Sequence, residues 1–198
     1  MKDLKIAVLG STNGTDLQAL IDNKIPVEIV ISNKSKAGIL ECAEKAGYPV
    51  LFISAKDKTR EEFDSEIMEV LKTKKINLIL LIGYMRYLSP EFVDQYRNKI
   101  MNIHPSLLPA FAGGMDKNVH EEVLKSGVKT TGCTLHFVDE GADTGPIILQ
   151  KEVAITGDET IESLKNKVQQ AEREVILRGI ELFAENKLEV KEGEVVVK

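Results

Sequence analysis

The chain has 198 residues, of which 43% are hydrophobic and 29% charged, and a net charge of −5. Such a length fills one core well and is short for two, so a single domain over residues 1–198 is expected. An acidic balance with scattered Lys and Arg argues against a nucleic-acid partner, which needs a basic surface. No apolar run approaches the roughly 18 residues that span a membrane, so no membrane partner is expected.

The opening MKDLKIAVLG has no cleavage-type segment and too short an apolar part for a signal peptide. Cys42 and Cys133 are far apart and lack metal-ligand spacing. Two buried thiols in a reducing compartment are expected, which makes the cytoplasm the default location.

In chain order, residues 5–9 (KIAVL) read as a buried strand and 17–21 as part of a helix. Residues 27–32 (VEIVIS) form a second strand, 38–45 a helix ending at Gly47, and 50–53 a third strand. Residues 59–72 have helical spacing, with Phe63, Ile67, Val70 and Leu71 on one face. A fourth strand covers 77–82 (NLILLI) and a short fifth 101–103. Alternating strands and helices imply an α/β fold, a Rossmann-like, mostly parallel twisted sheet with helices on both faces. From about residue 130 the pattern changes. Residues 130–138 and 146–155 are longer strands joined by the turn-like DEGADTG, and are expected to pair antiparallel in the C-terminal half. A long helix over 160–186 follows, and the tail LEVKEGEVVVK reads as a hairpin turning at Glu192-Gly193.

Three places carry chemistry. The loop GSTNGTDLQAL after the first strand is neither a Walker loop nor G-x-G-x-x-G. Its small residues suit either a phosphate at a helix N-terminus or an ordinary turn capped by Thr15 or Asp16. In IMNIHPSLLP, residues 100–109, Asn102 and His104 are two apart at the carboxyl end of a strand. Side chains alternate along a strand, so both point to one side, and ligands of such sheets collect at that end. The loop 139–145 supplies Asp143, a carboxylate able to orient an imidazole and raise its pKa. Asn, His and Asp without a Cys or Ser nucleophile suggest chemistry with no covalent enzyme intermediate. Ser106 would complete a Ser-His-Asp triad only if folding brought it beside His104. Of the other histidines, His120 reads as a surface or helix-start residue and His136 as a hydrogen-bonded structural residue in a strand.

IMNIHPSLLPAF, GYMRYLSPEF, HFVDEGADTGPIILQ and the opening IAVLGSTNGTDLQALID together resemble the folate-dependent phosphoribosylglycinamide formyltransferases over almost the whole chain. The N-x-H-P-S-L-L-P stretch with a following D-x-G-P-I-x-x-Q is shared by the wider formyl-transfer superfamily. The first loop and the compact length narrow the resemblance to this branch. It implies an enzyme of purine synthesis that moves the formyl group of 10-formyltetrahydrofolate to glycinamide ribonucleotide, with no metal, as a monomer or homodimer. It implies Asn102, His104 and Asp143 as catalytic residues. Asn13, Gly14, Thr15, Asp16 and Glu172 would bind the ribonucleotide, the loop taking its phosphate and Glu172 its ribose. Arg60, Met85, Arg86, Tyr87 and Leu88, with Val138, Asp139, Glu140, Gly141 and Ala142, would bind the folate.

The chain departs from that family in two places. Asp16 stands where the family usually has Asn. The segment AFAGGMDKNVHEE, residues 110–122, differs in pattern and length, which leaves His120 a weak match for the family's second substrate-loop histidine. Gly113 and Gly114 suggest a loop that closes over substrate. The rivals are a formyltetrahydrofolate deformylase, for which a phosphate loop is useless and an extra regulatory domain would be expected, and a non-catalytic folate- or nucleotide-binding module. Methionyl-tRNA formylation fits poorly with an acidic chain and no segment left after the catalytic domain to grip tRNA.

Overall fold

The computed structural model describes residues 3–113 and 119–198. Its order is β1 (Ile6–Leu9), α1 (Leu17–Asp22), β2 (Val27–Ser32), α2 (Gly38–Lys45), β3 (Val50–Phe52), α3 (Arg60–Thr73), β4 (Leu78–Leu81), α4 (Pro90–Gln95) and β5 (Ile100–His104). There follow α5 (Val119–Ser126), β6 (Thr130–Phe137), β7 (Ile147–Ala154), α6 (Ile161–Ala184), β8 (Leu188–Lys191) and β9 (Glu194–Val197). A seven-stranded mixed sheet has the order β3-β2-β1-β4-β5-β6-β7, and β8-β9 form a separate pair. The chain divides into two compact units, Met1–Asn102 and Ile103–Lys198.

In the first unit every strand pairing is parallel: β1 with β2 and β4, β2 with β3, and β4 with β5. All residues of β1 (IAVL) and β4 (LILL) are buried. A strand buried at consecutive positions is covered on both faces, which is why these strands are continuous apolar runs rather than alternating ones. Phe63, Ile67 and Leu71 on α3 are fully buried, as the spacing predicts. Helix α3 begins with a capping box. The Thr59 hydroxyl accepts the Glu62 N–H at 3.1 Å, and the Glu62 carboxylate accepts the Thr59 N–H at 2.8 Å. Helix α4 was not expected from the pattern; Ser89 caps it and Pro90 occupies its first turn.

In the second unit β6 and β7 are antiparallel, with Cys133 opposite Lys151 and Thr131 opposite Val153. A Cβ at Gly132 would lie 2.0 Å from the Lys151 carbonyl oxygen, so the ladder needs glycine there. Helix α6 packs on both strands and starts with a second capping box between Thr160 and Ser163. The tail hairpin turns at Glu192 (φ +51°) and Gly193 (φ +84°), the double left-handed turn that matches strand twist.

The expectation of two buried thiols is corrected: Cys133 is buried, but Cys42, on α2, is only half-buried. His120 lies in the first turn of a helix, one of its two expected places, and is buried. Among the described residues no helix is long and apolar enough to cross a membrane, and no His, Cys, Asp and Glu are grouped to hold a metal ion.

Candidate active site

In the second unit, His104 ends β5 and is 7% exposed. Its Nδ1 lies 3.2 Å from Asp143 Oδ2. Its Nε2 lies 3.0 Å from the Phe111 carbonyl oxygen. Both neighbours are acceptors, and only a doubly protonated ring donates to both. Burial opposes that form. It pushes the His104 pKa down, and this outweighs the upward pulls of the Asp143 charge and the Phe111 carbonyl, while His136 adds to the depression. The Asp143 carboxylate raises the His104 pKa, the direction expected of it, while burial acts against it.

Asp143 is surrounded by donors. Besides His104, its Oδ2 accepts the Gly113 N–H at 3.1 Å, and its Oδ1 lies 3.6 Å from His136 Nε2. Burial pushes its carboxyl up, but hydrogen bonding by His136, the His104 charge and the Gly113 N–H together outweigh burial and leave the pKa below the ordinary carboxylate value. The other nitrogen of His136, Nδ1, lies 2.8 Å from the Phe137 carbonyl oxygen. His136 is thus hydrogen-bonded, as expected, and has a second neighbour, Asp143, that spacing does not reveal. Asp143 has φ +56°, a left-handed backbone that Asp tolerates better than most residues.

The loop that carries Asp143 is tightly folded. The Asp139 carboxylate accepts the Gly141 N–H at 3.0 Å and the Thr144 hydroxyl at 2.8 Å. A Cβ on Gly145 would fall 1.9 Å from the Phe137 carbonyl oxygen. Val138, Asp139 and Ala142 are half-buried, and Glu140 and Gly141 exposed. The chain after His104 is held by three side chains. The Thr134 hydroxyl donates to the Ser106 carbonyl at 2.7 Å and accepts the Leu108 N–H at 3.0 Å. The Gln150 amide donates to both the Leu108 carbonyl and Thr134 Oγ1, each at 2.9 Å. Ser106 is fully buried and donates to the Ala110 carbonyl at 2.6 Å. Its hydroxyl is therefore engaged away from the imidazole, against a Ser-His-Asp triad. Thr134 and Gln150 are positions the sequence reading did not single out. Gln150 closes the D-x-G-P-I-x-x-Q pattern, which was the sequence signal available for it.

Glu172, on α6, is 5% exposed. A solvated helix face is the ordinary reading of such a residue, so a carboxylate drawn inside is a marked departure. His120, on α5, is buried with no hydrogen-bond partner for Nδ1 among the described residues. Burial, with Lys165 adding to it, pushes its pKa down to about 4. Gly114 and the rest of 114–118, the heart of the expected closing loop, lie outside the described residues.

In the first unit, Gly14 has φ +69°, and a Cβ there would meet Ile39 Cγ1 at 2.3 Å. Asn13 and Thr15 are exposed and Asp16 is buried. Asp16 stands at the N-cap of α1 but makes no side-chain cap bond. The first N–H groups of α1 donate to the carbonyls of Gly14, Thr15 and Asp16. Asn102 is half-buried on β5, opposite Leu81 of β4. Arg60 is exposed and pairs with Glu61 at 3.1 Å. Of the segment 85–88, Leu88 is buried, Met85 half-buried and Tyr87 exposed. The Arg86 guanidinium lies 4.6 Å from the Phe63 ring centroid, a cation–π contact.

The sequence profile of the formyl transferases matches residues 4–180. The chain belongs to the formyl transferase family. It is 38% identical to the phosphoribosylglycinamide formyltransferase of Escherichia coli (strain K12), over 96% of this chain and 92% of that protein. It is 42% identical to the trifunctional purine biosynthetic protein adenosine-3 of Homo sapiens over 97% of this chain, which spans only 19% of that protein's length. The crystal structure of glycinamide ribonucleotide transformylase 1 from Symbiobacterium toebii superposes with a TM-score of 0.91, at 38% identity, covering 98% of this chain and 93% of that one. As in other α/β sheets, this formyl transferase carries His104 at the carboxyl end of a strand.

Proposed function

We propose that this formyl transferase moves the formyl group of 10-formyltetrahydrofolate to the amine of glycinamide ribonucleotide, a step of de novo purine synthesis. The observation that carries the reading is the His104–Asp143 contact at 3.2 Å in a chain that is similar to a phosphoribosylglycinamide formyltransferase over 96% of its length.

The neutral amine attacks the formyl carbon, giving a tetrahedral intermediate with a negative oxygen and a positive nitrogen. Asn102 donates to that oxygen, and one such donor is worth roughly 3 kcal/mol. Protonated His104 donates to the same oxygen, and the negative charge growing there favours that form of the ring. Asp143, held ionised by its donors, fixes the imidazole and balances its charge. The attacking nitrogen loses a proton, the folate nitrogen gains one, and the carbon–nitrogen bond to folate breaks. The products are the formamide and tetrahydrofolate.

In the same reading, residues 13–16 take the substrate phosphate through backbone N–H groups and Glu172 takes the ribose hydroxyls. Residues 85–88 line the folate pocket, the backbone of 138–142 contacts the pterin, and Arg60 meets the glutamate tail. The test is to mix the protein with the formyl donor and follow folate deformylation by absorbance, with and without glycinamide ribonucleotide. Turnover only with the ribonucleotide is expected. Equal turnover without it would make the protein a deformylase, and folate binding without turnover a binding module.

A further inference from the structure

We infer that Ser11 is a positioning residue that ties the first loop to the segment 83–85, so that occupancy of one proposed substrate segment strengthens the other. The inference rests on the roles proposed above for residues 13–16 and 85–88. Ser11 follows β1 and is 3% exposed. Its N–H donates to the Gly83 carbonyl at 3.0 Å. Its hydroxyl accepts the Met85 N–H at 2.9 Å and donates to Asn33 Oδ1 at 2.7 Å. One hydroxyl can do both, and the Asn33 oxygen fixes its rotor so that a lone pair faces Met85.

The neighbouring contacts leave little slack. Gly83 has φ +57°, and a Cβ there would come 2.2 Å from Thr12 Oγ1. The Thr12 carbonyl accepts the Ile39 N–H at 3.0 Å, and a Cβ at Gly38 would lie 3.0 Å from Asn13 Oδ1. The first loop is thus pinned to the start of α2 on one side and to residues 83–85 on the other. Of these links, the Ser11 hydroxyl is a side-chain contact that reaches Met85, the first residue of the proposed folate segment. Removing it strands a backbone N–H next to that segment, and an orphaned donor costs more than an ordinary hydrogen bond contributes.

The test is calorimetric titration of tetrahydrofolate with and without glycinamide ribonucleotide, for the wild type, Ser11→Ala and Asn33→Ala, alongside steady-state kinetics. The wild type is expected to bind tetrahydrofolate at least about fivefold tighter when the ribonucleotide is present, at the low end of ordinary coupling between sites. Ser11→Ala should abolish that difference and raise the KM for the formyl donor about tenfold, with kcat changed by no more than about twofold. Asn33→Ala, which frees the hydroxyl rotor but keeps the acceptor, should give an intermediate coupling. It decides the matter alone if Ser11→Ala does not fold. A merely structural role would lower the melting temperature and leave the coupling intact, and that result, or a wild type without coupling, overturns the inference. A wild type that does not transfer formyl to the ribonucleotide overturns the functional reading, and this inference with it.

Discussion

Asp143 has a left-handed backbone, φ +56°, and that decides which substitution tests its charge. Asn tolerates this conformation and keeps the shape of the side chain, so Asp143→Asn removes the charge without straining the loop. His104→Ala and Asp143→Asn are each expected to lower kcat by roughly 10² to 10⁴, the range for a lost acid–base group. Melting curves should show both variants folded, and near-normal turnover in either would remove its assigned role. The pairing of these two residues was legible because each has a local signature: a His before a proline at a strand end, and an Asp in a glycine-flanked turn. The backbone groups that complete the site were not. The Gly113 N–H and the Phe111 carbonyl meet Asp143 and His104, respectively, through the path of a loop, which periodicity does not encode. Glu172 was legible as an acidic helix residue, but its burial follows from which face α6 turns inward.

Elements were readable where their pattern ran long. Helix α3 and helix α6 begin one residue after the Thr that caps each, as N-cap chemistry dictates. Helix α4 was invisible to periodicity because six residues make fewer than two turns, although Ser-Pro-Glu at 89–91 carries the cap and first-turn signals. The cap on α6 gives a quantitative expectation. Thr160→Ala removes the acceptor of the Ser163 N–H and should cost about 1 kcal/mol in a denaturant melt. Thr160→Ser should restore most of it, whereas equal losses in both variants would mean the cap bond is not what stabilises the helix start. Sheet order was not in the sequence pattern. It is set by which apolar strand finds which neighbour, and β1 lies between β2 and β4 although residues 5–9 and 77–82 are far apart in the chain.

For the molecule as a whole, His120, His104 and Asp143 each make folding sensitive to acid with the same sign, while Asp64, whose carboxyl burial pushes up, acts against them. His120 is held neutral to about pH 4, so between its unfolded value near 6.5 and about 4 the unfolded chain binds the proton and the folded one does not. Stability therefore falls with pH across that window. His104, with a pKa also pushed down, adds to the loss below its unfolded value. Asp143, with a lowered carboxyl pKa, contributes stability above its unfolded value that is lost as pH falls through the folded one. Melting temperature should decline from pH 7 to pH 4, and His120→Gln should flatten the decline between 6.5 and 4; an unchanged slope would place the sensitivity elsewhere. One contact also bears on inhibitor chemistry. Since His104 Nε2 is met by the Phe111 carbonyl at 3.0 Å, a small molecule that competes for this nitrogen inherits the carbonyl's duty. A compound offering an oxygen lone pair there exchanges one acceptor for another at little enthalpic loss, while one offering an amine hydrogen sets two donors against each other. Screening for this protein should therefore favour carboxamides, sulfones and hydrated aldehydes over basic amines at that position.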